Sequence, residues 1–317
     1  MNKSERTSQN ELKHANPYVY DKVIKNGMRI VRLEYSYACN FRCEHCCIRE
    51  FQIKSYQRIL TVEDVRELSR QADEMGFAQF VISGGEPLVY PEFDKVVKSI
   101  DPHKFYITTD TNGWYLNAYM AEHLKSIGVS KVQLSIDSLY PRIHDEFRNK
   151  QGSWDRAIKA VIHSKGAGLK VLIQTVVDKR RVRSQELLDF ITFFNDQDIP
   201  VFIMYAKPVG AWKGRTDLLV NQDDIDYVED LTGKHNVFTH LTPSYDYQGG
   251  CIAMKRMINV TKYGEVNPCP VMQEYSIGNF FNEPLKDIID RGMKEYGEHE
   301  PTCPMALDAD YIKRRVK

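Results

Sequence analysis

What the chain lacks narrows it before any motif is considered. It has no net charge: Lys plus Arg and Asp plus Glu both number 43, and no long basic block appears in the 317 residues. That balance argues against a protein that coats nucleic acid, and no nucleic-acid partner is expected. It lacks a long apolar run. Val201-Phe-Ile-Met-Tyr-Ala206, the longest in the second half, falls far short of the ~20 residues that cross a bilayer. The N-terminus lacks the apolar core of a signal peptide, so a soluble, cytoplasmic chain with no membrane partner is expected. No cysteine occurs between Cys47 and Cys251. Seven cysteines, an odd number, gathered toward the two ends of a chain without an export signal, point to metal or redox chemistry rather than a disulfide framework.

Four of them fall within Cys39–Cys47, and Cys39, Cys43 and Cys46 stand at C-x3-C-x2-C spacing. Thiols this close cannot all pair into disulfides without strain. Three thiolates can instead hold one face of an iron–sulfur cube and leave one iron open for chemistry. Zinc is the alternative. It wants four N or S donors around one point, and His45 sits too near its neighbours to complete such a site comfortably.

From Met28 to about Ile203, apolar runs alternate with amphipathic stretches of helix length. Strands are expected over Ile30–Tyr37, Gln79–Ser83, Phe105–Thr109, Lys131–Ile136, Lys170–Val177 and Pro200–Tyr205. Helices are expected from the capping box Thr61-Val-Glu-Asp64 to before Gly76, and over Tyr115–Ile127, Trp154–Ser164 and Ser184–Asn195. Residues 1–27 look polar and irregular, a leader segment. Strands spaced by helices imply right-handed βαβ units and a parallel sheet, either an open partial barrel or a doubly wound sheet. In both, ligands gather at the carboxyl ends of the strands. The polar motifs fall there: Cys39 after the first strand, Ser83-Gly-Gly-Glu-Pro87 after the second, Thr109-Asp-Thr-Asn-Gly113 after the third and Ser135-Ile-Asp137 after the fourth.

Gly84 and Gly85 allow backbone to approach a ligand closely, and Glu86 before Pro87 adds a carboxylate suited to an ammonium group; the plainer alternative is a turn. Ser135 and Asp137 alternate around Ile136 and suit a ribose or a carboxylate, or simply solvate a strand end. Arg148, unaided, reads as a surface helix residue.

Taken together, Cys39-x3-Cys43-x2-Cys46, Gly84-Gly-Glu-Pro87, Thr111-Asn-Gly113, Ser135-Ile-Asp137 and His144-Asp-Glu-Phe-Arg148-x3-Gly-Ser-Trp resemble the radical S-adenosylmethionine (SAM) enzymes, and more narrowly the branch with a C-terminal SPASM or twitch extension. The resemblance covers about residues 28–317. It implies an α/β fold, a partial (βα)6 TIM-like barrel over 28–210 with a small SPASM/twitch-like iron–sulfur domain over 211–317. It implies that Cys39, Cys43 and Cys46 ligate a 4Fe–4S cluster whose open iron chelates the methionine end of SAM. The Gly84–Pro87 loop then meets the methionine amine. Ser135 and Arg148 are candidates for its carboxylate, with Gln174 a further polar candidate and Asp137 beside them. His45 stands where an aromatic often precedes the third cysteine and is placed to pack on adenine. Cys47 reads as a small buried hydrophobe. A reductant such as flavodoxin or ferredoxin is an implied partner.

Met257–Cys269 reads as a hairpin turned at Gly264 that brings Cys251 and Cys269 toward one end, and the C-x12-G-x4-C spacing is similar to the opening of SPASM and twitch domains. Only Cys303 remains to join them, room for one auxiliary 4Fe–4S cluster. Asp308 or His299 are weak candidates for its fourth ligand, and a three-cysteine zinc site is the alternative. Cys251 is also the candidate hydrogen-atom donor if it is not a ligand. Tyr205, Lys207 and Trp212, after the last barrel strand, are candidate substrate contacts or interdomain packing, and Tyr245–Gly250 is a candidate entry loop to the cluster domain. With no peptide-binding domain evident in 1–27 and no cobalamin domain, the expected substrate is a small polar metabolite of sugar or aminocyclitol type, oxidised or epimerised. The runner-up is a peptide, crosslinked or epimerised, and a non-catalytic Fe–S or zinc protein is the rival of another class.

Overall fold

The computed structural model describes residues 11–49, 58–244 and 247–315. Among the described residues, a short helical stretch over 11–15 precedes α1 (Pro17–Asn26), and the chain then alternates: β1 (Ile30–Ser36), α2 (Val62–Glu74), β2 (Gln79–Gly84), α3 (Phe93–Ile100), β3 (Tyr106–Thr111), α4 (Ala118–Ser126), β4 (Lys131–Ser135), α5 (Pro141–Arg148), α6 (Ser153–Gly166), β5 (Lys170–Val177), α7 (Gln185–Asn195) and β6 (Val201–Tyr205). These six strands lie side by side in chain order, all parallel. A doubly wound sheet would reverse its order at a switch point. This one does not, and the fold is the partial (βα)6 barrel.

After α8 (Gln222–Lys234), β7 (Val237–Phe238) joins the free edge of β6. The expected hairpin is formed by β8 (Met257–Thr261) and β9 (Glu265–Asn267), and β8 pairs in parallel with β1. Then come β10 (Gly278–Asn279), α9 (Leu285–Tyr296), α10 (Pro304–Leu307) and α11 (Ala309–Arg315). Barrel and C-terminal region thus share one ten-stranded sheet among the described residues.

Alternation within strands sorts the two faces. Val31, Leu33, Phe80, Ile82, Ile107, Val132 and Leu134 are fully buried toward the helices. The opposite face carries Arg32, Gln79, Lys131, Gln133 and Gln174, which line an interior cavity of about 2060 Å³.

Three expectations shift. The segment expected to be irregular contains α1: Asn16 caps it, accepting from the Val19 amide at 3.1 Å, and Pro17 opens it. Val19 and Val23 pack with Leu12 and Ala78 in a small second core, and Lys22 pairs with Asp73 at 2.5 Å. Strand β3 runs two residues past Thr109, because Asp110 and Thr111 find partners in Gln133 and Leu134. Helix α4 starts at Ala118 rather than Tyr115, since the Asn117 side chain accepts from the Met120 amide at 2.9 Å and fixes the start.

Candidate active site

Cys39, Cys43 and Cys46 lie on the loop that leaves β1, and two glycines clamp that loop from opposite sides. On one side, the Gly85 amide donates to Ser36 O at 2.9 Å and the Glu86 amide to Ala38 O at 2.8 Å. A methyl group at Gly85 would stand 2.0 Å from Ala38 O, so only glycine permits this approach. On the other, Ala211 N donates to Cys46 O at 3.0 Å. A Cβ at Gly210, where φ is +55°, would meet the carbonyl oxygens of Cys46 and Cys47 at 2.5 Å. The exit from β6 therefore supports the cysteine loop. Trp212 is buried there, its Nε1 donating to Glu44 at 3.3 Å and its ring 5.8 Å from His45. Tyr205, expected near the mouth, is instead buried in the core because it shares the helix-facing side of β6 with Val201 and Ile203; Lys207 does line the cavity.

Glu86 departs from the expected role. Its carboxylate is buried and turned toward the end of β3, accepting from Thr111 Oγ1 at 2.7 Å, the Asn112 amide at 2.7 Å and the Leu88 amide at 3.1 Å. Asn112 Nδ2 in turn donates to Asn40 Oδ1 at 2.8 Å, between Cys39 and Phe41. Glu86 ties β3 to the cysteine loop. Burial lifts the Glu86 carboxyl to about 7 against these hydrogen bonds. The folded state then holds the proton more tightly than the unfolded state, whose carboxyl titrates near 4.5. This stabilisation is complete below about pH 4.5 and is lost as pH rises through about 7. Urea unfolding from pH 4.5 to 7.5 is expected to show the native protein losing on the order of 3 kcal/mol relative to Glu86→Gln; parallel curves would refute this.

Arg148 is not a surface residue. It is buried, its Nε donates to Asp137 Oδ2 at 2.6 Å, and its Nη1 lies 3.9 Å from Cys43 Sγ. Asp137 Oδ1 accepts from the Val176 amide at 3.0 Å, and the Asp137 amide donates to His144 Nδ1 at 3.1 Å. Each Asp137 oxygen thus already has one partner within the fold. Burial opposes its ionisation, but the Arg148 guanidinium outweighs burial and holds the carboxyl at about 2. Ser135 and Gln174 stand in register on β4 and β5, and Gln133 donates to Gln174 on the barrel's inner face. His45 stacks on Phe147 at 4.5 Å, and burial keeps it neutral, its value lowered to about 3. Cys47 packs against Tyr37, Ile48 and Tyr263, its thiol pushed up to about 12 by burial.

The second cysteine group converges on the cavity. Cys251, Cys269 and Cys303 all line it, and the Cys251 amide donates to Glu300 O at 2.7 Å, joining the segments that carry Cys251 and Cys303. Burial raises the thiols of Cys251 and Cys269, and Cys303 raises both further. His299 lines the same cavity; Asp308 is not among its lining residues, and its Oδ1 caps α11, accepting from the amides of Asp310 and Tyr311 at 2.8 Å. Tyr245 and Asp246 of the expected entry loop lie outside the described residues.

The donors suit iron–sulfur clusters. Every described cysteine is free, and two polar atoms beside the first triad, Asn40 Nδ2 and His45 Nδ1, are buried without a hydrogen-bond partner.

The Radical SAM superfamily model matches residues 33–191. The chain belongs to the radical SAM superfamily. An iron–sulfur cluster-binding domain of the SPASM type also matches, over residues 251–305. This radical SAM enzyme therefore uses a 4Fe–4S cluster and SAM, with auxiliary iron–sulfur binding in its SPASM region. The GTP 3',8-cyclase of Nautilia profundicola is 31% identical over 201 residues, and the match spans 62% of this chain and 62% of that relative's length. Streptococcus suis SuiB, solved with its precursor peptide SuiA, superposes with a TM-score of 0.64 at 20% identity, covering 91% of this chain and 70% of SuiB. AdoMet-bound anSMEcpe gives 0.62 at 19% identity, covering 84% of this chain and 82% of that one. These two likenesses bear on the fold. No helix among the described residues is long and apolar enough to cross a membrane.

Proposed function

We propose that this radical SAM enzyme abstracts hydrogen from a C–H bond of a small polar metabolite held inside the half-barrel. Cys39, Cys43 and Cys46 would hold the catalytic cluster, and Cys251, Cys269 and Cys303 the auxiliary one. When bound, the cluster and SAM supply a 5′-deoxyadenosyl radical. The chain's own groups do the rest. The Gly84–Gly85 backbone receives the methionine amine, with Glu86 and Pro87 shaping that loop. Ser135 and Arg148 flank the carboxylate, Gln174 offers an amide from the next strand, and His45 packs beside adenine.

The observation that carries the substrate reading is the polar interior. Arg32 lines the cavity and pairs with Asp110 at 2.6 Å, yet its Nε is buried without a partner. Lys131, Gln133 and Gln174 line the same cavity, which reaches to Cys251. Unpaired buried polar atoms in a roomy cavity suit a ligand that bonds to them. The likeness to enzymes named for GTP, a small polar molecule, supports the same reading. If the second cysteines all serve as ligands the outcome is oxidation; if Cys251 is free to return a hydrogen atom, it is epimerisation.

Reconstituted protein with SAM, dithionite and size-fractionated cell extract tests the reading. The fraction below peptide size is expected to raise 5′-deoxyadenosine formation at least tenfold over the substrate-free rate. Stimulation by the peptide fraction alone would overturn the substrate class in favour of a peptide.

A further inference from the structure

We propose that Arg148 is a positioning residue for the electron as well as for SAM: its guanidinium donates a hydrogen bond to Cys43 Sγ and raises the reduction potential of the cluster held by the first cysteine triad. The inference rests on the proposed role of Cys43 as a ligand of that cluster.

The geometry is built, not incidental. Arg148 ends α5 and is only 7% exposed. Its Nε is fixed to Asp137 Oδ2 at 2.6 Å, and Asp137 is fixed through its other oxygen to the Val176 amide of β5 at 3.0 Å. The guanidinium is planar and rigid, so anchoring one nitrogen aims the others. Nη1 is thereby aimed at Cys43 Sγ, 3.9 Å away and within reach of a sulfur acceptor. Asn149, left-handed at φ +49°, caps α5, so the helix stops just where its last side chain meets the cysteine loop. The same loop is tied to α5 by the Glu44 amide, which donates to Phe147 O at 3.0 Å, and by His45 stacked on Phe147.

Reducing the cluster adds one negative charge, spread partly onto its sulfurs. A buried cation that donates to one of those sulfurs stabilises the reduced form more than the oxidised form. Asp137 offsets part of the positive charge at longer range, but it cannot donate. The network therefore directs an N–H toward sulfur while keeping a buried arginine paired.

The test compares Asp137→Asn with Asp137→Asn/Arg148→Met, so that no variant buries an unpaired carboxylate. Each is reconstituted anaerobically and titrated with a redox mediator series. The readout is the electron paramagnetic resonance signal that changes on adding SAM, which separates the catalytic cluster from the auxiliary one. At a fixed potential the double variant is expected to show about a tenfold lower ratio of reduced to oxidised cluster than Asp137→Asn, equivalent to about 59 mV for one electron. Asp137→Asn/Arg148→Lys is expected to recover part of that loss. An unchanged potential with weakened SAM binding would overturn the proposal and leave Arg148 as a carboxylate ligand alone. Iron lost only from the double variant would also overturn it, as a purely structural role. A native protein that takes up no iron would instead sink the cysteine assignment on which the inference rests.

Discussion

Replacing Cys39, Cys43 and Cys46 together by alanine is expected to lower the iron content from about eight per chain to about four, the count for two thiolate-held cubane clusters of which one is lost. Formation of 5′-deoxyadenosine should fall to background in the same variant. The two groups are separate in the fold. The first triad is held on the loop after β1 by Gly85 and Gly210, while Cys251, Cys269 and Cys303 line the interior cavity. Losing one should therefore spare the other. A fall from four irons to none would remove the auxiliary cluster from the account, and a fall from eight to none would mean that the two sites assemble together.

Gly85→Ala is expected to reduce SAM cleavage at least tenfold. A methyl group there meets the Ala38 carbonyl oxygen at 2.0 Å, and Ala38 immediately precedes Cys39, so relief of the clash must displace the cysteine loop. Overpacking of this kind costs about 1–3 kcal/mol, and here the moving part carries the proposed ligands. Gly166→Ala provides the contrast. Gly166 closes α6, and an added methyl group there meets nothing within 4 Å. That substitution is expected to leave cleavage unchanged and to stabilise the helix by up to about 1 kcal/mol. Equal activity in the two variants, measured as 5′-deoxyadenosine released, would contradict the clamp.

Local physics made most of the barrel legible. Period-two apolar runs and caps such as Thr61, whose side chain accepts from Asp64 N while Asp64 accepts in return, place β1 to β6 and α2 within a few residues. The cysteine spacing and the Gly84–Pro87 loop are equally local. What escaped was set by contacts distant in sequence. Glu86 meets Thr111 and Asn112, 25 and 26 residues on, and nothing in Gly-Gly-Glu-Pro says which way that carboxylate turns. Arg148 lies 105 residues from Cys43, and its burial follows from Asp137 and from the docking of α5 on the cysteine loop. Gly210 approaches the Cys46 and Cys47 carbonyls only once the chain after β6 has returned beside the loop that leaves β1. Asp308 shows the reverse case. An Asp immediately before a short helical run is a capping signal visible in the sequence, and Asp308 Oδ1 fills that role.

The central claim is that the three cysteines after β1 hold a cluster that makes SAM a radical source. The most direct measurement is 5′-deoxyadenosine release by the anaerobically reconstituted, dithionite-reduced native protein with SAM. The account predicts release, even if slow without substrate, and none from the Cys39/Cys43/Cys46→Ala variant. A native protein fully loaded with iron that binds SAM and releases no 5′-deoxyadenosine, with or without metabolite extract, would contradict it.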